Sequence, residues 1–71
     1  MRLTDTEREI LVDLLVNGDN TPRNISENIG RAREHCSVRL ADLDEKGLVR
    51  NKGGGVWTLT LSGAIAAREH V

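Results

Sequence analysis

Residues 21–40 hold four arginines, Arg23, Arg31, Arg33 and Arg39, against two acids, Glu27 and Glu34. A guanidinium can bridge guanine O6 and N7 with two parallel hydrogen bonds, and Arg31 and Arg33 stand where a helix begins, the part of a reading helix that meets base edges. Around them, Glu34 can accept from cytosine N4, His35 can donate, Ser37 can bond a base or a phosphate, and Val38 can touch a thymine methyl. Arg39 falls close to an apolar stripe, which leaves it two roles: a phosphate contact, or an ion pair with an acid of the first helix. Thr21 and Arg23, at the start of the preceding helix, are suited to a phosphate through amides and guanidinium. Further on, Arg50 and Lys52 have no acid between them and lead into Gly53-Gly54-Gly55. Three glycines let a backbone approach a phosphate, and equally they make a plain turn.

Other chemistries find less support. Cys36 lies on a buried stripe, where a free cysteine behaves as a small apolar residue. Its neighbour His35 points about 100° away on a helix, poor geometry for one metal ion shared with Cys36 or His70. Lys52 and its glycines lack the Gly-Lys-Ser/Thr and the following helix of a nucleotide loop. Trp57 reads as packing for a hairpin rather than a platform for a base. No catalytic set or cofactor fingerprint is present, so the sequence is not that of an enzyme.

The elements that must position these residues can be read in order. Thr4-Asp5-Thr6-Glu7 is a capping box opening a helix over Leu3–Asn17, with Ile10, Leu11, Leu14 and Leu15 on its buried side and Asn17-Gly18 as its stop. Val12 and Val16 lie on a different side, more apolar surface than one core contact needs. Thr21-Pro22 starts a short second helix, Ile25 and Ile29 face the core, and Gly30 ends it. A third helix spans Ala32–Lys46, with Ala32, Cys36, Leu40 and Leu43 along one stripe, Gly47 as its stop, and Arg33, Glu34, Ser37, Val38 and Ala41 outward. Leu48–Asn51 and Val56–Leu59 read as a β-hairpin about the glycine turn, and Thr60 caps a last helix from Leu61 to about His70.

Two helices joined by a tight glycine turn, the second bearing cations on its exposed side, followed by a hairpin, form a winged helix-turn-helix: mainly α, with one small β-hairpin. Here the sequence resembles the small archaeal winged-helix transcriptional regulators related to haloarchaeal phage repressors. The resemblance runs through Leu3-Thr4-Asp5-Thr6-Glu7 with Ile10-Leu11, Asn20-Thr21-Pro22 with Asn24-Ile25, and Gly30 with Arg33, Ser37, Arg39-Leu40 and Leu43. It continues through Gly47-Leu48-Val49-Arg50-Asn51 and Leu59-Thr60 with Gly63. It implies sequence-specific binding of double-stranded DNA, with repression by occluding a promoter as the expected outcome. Two departures bear on sequence preference rather than fold: Arg31-Ala32 stands where this family usually has Leu-Ser, and Val38 where a polar residue is common.

The 71 residues carry a formal charge of −1, which by itself argues against a nucleic-acid ligand. The charges are segregated, however: residues 1–20 carry two bases and five acids, residues 21–40 the reverse bias. A chain this short buries only about 60% of its unfolded surface. With one tryptophan and neither phenylalanine nor tyrosine, its core is marginal. A single domain over 1–71 is therefore expected to form a homodimer through Val12, Val16, Ile65 and Val71, unless those side chains pack within one chain. One cysteine, and no run that reads as a signal peptide or membrane span, point to the cytoplasm. No cofactor or small-molecule effector is evident. The alternative function is a winged-helix module that binds protein instead of DNA.

Overall fold

The computed structural model describes residues 2–71. Its first helix, α1, covers Asp5–Asn17, and both halves of the capping box form: the Thr4 hydroxyl accepts from the Glu7 amide at 3.1 Å and the Glu7 carboxylate from the Thr4 amide at 2.8 Å. Replacing Thr4 with Ala is expected to cost about 1 kcal/mol, seen by circular dichroism as a melting point lower by about 4–8 °C. Helix α2 (Pro22–Ile29) starts behind Thr21, whose hydroxyl accepts from the Asn24 amide, and ends at Gly30 in the left-handed conformation.

Helix α3 covers Arg33–Glu45. Its buried stripe is Cys36, Leu40 and Leu43, whereas Ala32, expected on that stripe, is exposed. Ala32 is the N-cap, with extended backbone at φ −63° and ψ 139°, so its Cβ does not follow the helical period that places the others inward. It supplies no side-chain cap, as the missing serine implies. Strands β1 (Val49–Asn51) and β2 (Trp57–Leu59) pair antiparallel, Val49 opposite Leu59 and Asn51 opposite Trp57. Asn20 adds an isolated bridge on Trp57, its amide and carbonyl bonded at 3.1 and 2.8 Å. Helix α4 covers Leu61–Arg68, capped by Thr60 and ending two residues short of His70.

The core is one cluster: Ile10, Leu11 and Leu14 of α1, Ile25 of α2, Cys36, Leu40 and Leu43 of α3, then Leu48, Val49 and Ala67. Trp57 and Leu59 pack the hairpin against it. Burial pushes the Cys36 thiol pKa up, which keeps it protonated and unreactive. The order helix, helix, helix, hairpin, helix is the winged helix-turn-helix. No described helix is long and apolar enough to cross a membrane.

Candidate nucleic-acid interface

The core stripe of α3 faces inward, and that leaves Arg33, Glu34, Ser37, Val38 and Ala41 all exposed. Val38 is 54% exposed, an apolar side chain in water on the outer face. Glu34 lies in the first turn, where an acid suits the helix dipole. Neither Arg33 nor Arg50, exposed on β1, has an ion-pair partner among the described residues. Arg23 is exposed and only loosely paired, 3.7 Å from Glu27. Thr21 is half-buried and occupied twice, its hydroxyl capping α2 and its amide donating to Asn20 Oδ1 at 2.9 Å.

The remaining charged or titratable candidates are tied back into the chain. Arg31 lies in the turn before α3 and donates through Nε and Nη2 to the Glu9 carboxylate of α1 at 2.7 and 3.2 Å. Those hydrogen bonds hold the Glu9 pKa below its usual value and raise that of Arg31. His35 Nε2 lies 3.0 Å from the Thr6 hydroxyl of α1. Arg39 pairs within its own helix, 2.5 Å from Asp42, rather than with an acid of α1. At i, i+3 the Asp42 carboxylate is the nearer partner. Arg39 Nε is buried without a hydrogen-bond partner.

In the wing, Lys52 donates to Asp19 at 2.9 Å, joining the tip to the loop between α1 and α2. Hydrogen bonds from Thr58 and Lys52 keep the Asp19 carboxyl below its ordinary pKa. Asn51 Oδ1 accepts from the Gly53 amide, and Gly53, Gly54 and Gly55 all have positive φ. That backbone gives the glycines a purely local reason to be there.

Beyond the partners of Arg31, His35 and Lys52, further contacts had no counterpart in the sequence reading. Asp13, 6% exposed, accepts from Asn17 and Asn28 of α2. Glu7, fully buried, meets Lys46 at the end of α3 at 2.9 Å. Gly63 presses on Leu48, and Asn20 bridges Trp57. The signal for the first was available: Thr6, Glu9 and Asp13 recur at helical spacing on one flank of an otherwise apolar face.

Three of the four expected dimer residues line two adjoining grooves. Val12 and Val16 line one with Ile29, Ile65 lines the other with Leu3 and Leu48, and Arg8 and His70 border both. Val16, Ile65 and Val71 are 65%, 57% and 77% exposed, and Val71 lines neither groove.

Known proteins share this arrangement. The chain is similar to ZitR of Lactococcus lactis, with 28% identity and a TM-score of 0.88 over 99% of this chain and 49% of that one. It is also similar to ZitR solved in complex with DNA, at 29% identity and a TM-score of 0.83 over 99% and 51%. A MarR family regulator from Neisseria meningitidis shares the fold at 22% identity and a TM-score of 0.86, over 96% of this chain and 52% of that one. The chain thus spans about half the length of the solved proteins it matches. No curated protein matches it. Over residues 1–60 it matches the model of the sugar-specific transcriptional regulator TrmB, and the chain belongs to that family of winged-helix transcriptional regulators.

Proposed function

We propose that this chain binds specific duplex DNA and represses transcription by occluding a promoter. The observation that carries the reading is the outward face of α3, which is exposed and opens with Arg33, a cation with no ion-pair partner among the described residues. On this reading Arg33, Glu34, Ser37 and Val38 meet base edges in the major groove, while Thr21, Arg23 and Arg50 border the backbone. Arg31, His35, Arg39 and Lys52, tied to other parts of the chain, are not placed on bases.

A single domain over 1–71 would act in the cytoplasm as a homodimer, pairing through Val12, Val16, Ile65 and Val71. Dimerisation would set two α3 helices about one duplex turn apart. The likeness to ZitR, solved with DNA, supports the ligand, and the motif resemblance supports kinship with small archaeal regulators. No small-molecule effector is invoked. The exposed apolar residues on α1 and α4 favour one second reading, a module that docks on another protein.

The test is a duplex enriched from a random pool and titrated by fluorescence anisotropy. Arg33→Ala is expected to weaken binding about 10-fold or more, the worth of one bidentate base contact. Affinity should fall steeply with salt. Equal binding by parent and variant would remove α3 as the reading element, and no enrichment of any duplex would favour the protein-docking reading.

A further inference from the structure

We infer that Arg31 serves the reading helix through α1 rather than through the duplex: Glu9 holds it as a positioning residue, in a seam of three contacts that fixes where α3 begins. The inference rests on the DNA-binding reading above. Thr6, Glu9 and Asp13 stand at i, i+3 and i+7, one flank of α1. Each meets a different part of the helix-turn-helix. Thr6 lies 3.0 Å from His35 on α3, Glu9 takes two hydrogen bonds from Arg31 in the turn, and Asp13 accepts from Asn28 of α2 at 3.3 Å.

The partners run backward along the chain as the flank runs forward, so the seam closes over the end of α2, the turn and the first turn of α3. Arg31 is its middle point and is anchored twice, since its amide also donates to the Ser26 carbonyl at 3.1 Å. The Nε edge of the guanidinium is turned toward α1. A turn held this way needs no ordering when α3 docks, whereas a loose turn loses affinity in proportion to the fraction of time it is misplaced.

The two roles open to Arg31 predict opposite signs. As a positioning pair, Glu9→Ala and Arg31→Ala each weaken binding about two- to fivefold, the range an exposed ion pair can supply. The double variant is then no weaker than either single one, and the dependence of affinity on salt keeps its slope. Glu9→Gln, which retains an acceptor for Nε, recovers binding toward the parent.

The measurement is anisotropy on the enriched duplex at about 0.15 M salt and above, where distant charge effects are screened. Thermal melts of each variant accompany it and are expected to stay within a few degrees of the parent. Tighter binding by Glu9→Ala, or a salt slope shallower by about 1 in Arg31→Ala, would show Arg31 on the duplex and overturn the positioning role while Arg33→Ala still binds weakly. Indifference of binding to Arg33→Ala, or no duplex enriched, overturns the DNA reading itself and this role with it.

Discussion

Replacing Gly63 with Ala is expected to lower the melting temperature by about 12–24 °C, or to abolish folding. A Cβ at Gly63 would stand 1.8 Å from the Leu48 carbonyl oxygen and 2.8 Å from its carbonyl carbon, with a Leu59 methyl at 3.2 Å. The first two are backbone atoms and cannot swing aside. The Leu48 carbonyl also accepts from the Thr60 amide at 3.0 Å, so α4 can retreat only by giving up its junction with the chain before β1. Such a displacement costs about 3 kcal/mol or more, a large part of the roughly 4–10 kcal/mol that a chain of this size has. Helix propensity alone would make alanine better here by about 1 kcal/mol. A circular dichroism melt at or above that of the parent would therefore show that α4 does not sit this close to Leu48.

Acid is expected to weaken the fold through Glu7. Burial pushes its carboxyl pKa up, but hydrogen bonds from the Thr4 amide and the Lys46 ammonium outweigh that and leave it below the ordinary 4.5. Because the folded value is the lower one, the contribution is fully present above the unfolded value. It fades as pH falls through 4.5 and below. Lys46→Met leaves a side chain that is 1% exposed charged and without its cation. Losing a buried partner costs about 3–5 kcal/mol, but the Lys46 side chain is 30% exposed, and water there reduces the expected loss to about 2 kcal/mol. Urea midpoints between about pH 7 and pH 3 check both parts. Glu7→Gln should start lower at neutral pH and lose less on acidification, and a profile parallel to that of the parent would contradict the assignment.

The elements were legible because their signals are local. Thr4 and Glu7, Thr21 and Pro22, and the run of glycines after Lys52 each act within a few residues, and the helices and strands begin and end within two residues of where those signals put them. Ala32 misled because an N-cap sits at the edge of the period that describes the helix. Side-chain commitments were not legible in the same way. Arg31 and Glu9 are 22 residues apart, His35 and Thr6 29, and Lys46 and Glu7 39. Their pairing depends on how α1 crosses the other helices, not on any spacing within one element. Charge counting thus credits Arg31, His35 and Lys52 to an exposed basic face, while the fold draws each of them toward a partner on or next to α1. Arg33 and Arg50 are left without an ion-pair partner among the described residues, and Arg23 with only a loose one.

The bridge between Asn20 and Trp57 also makes the chain its own optical probe. Trp57 is the sole aromatic residue, half-buried where the hairpin, the loop between α1 and α2, and the core come together. Its indole emission is therefore an unlabelled signal from that one junction, with no tyrosine background to subtract. Detachment of the hairpin would expose the ring to solvent and shift its spectrum to the red, so wing movement can be followed separately from loss of helix.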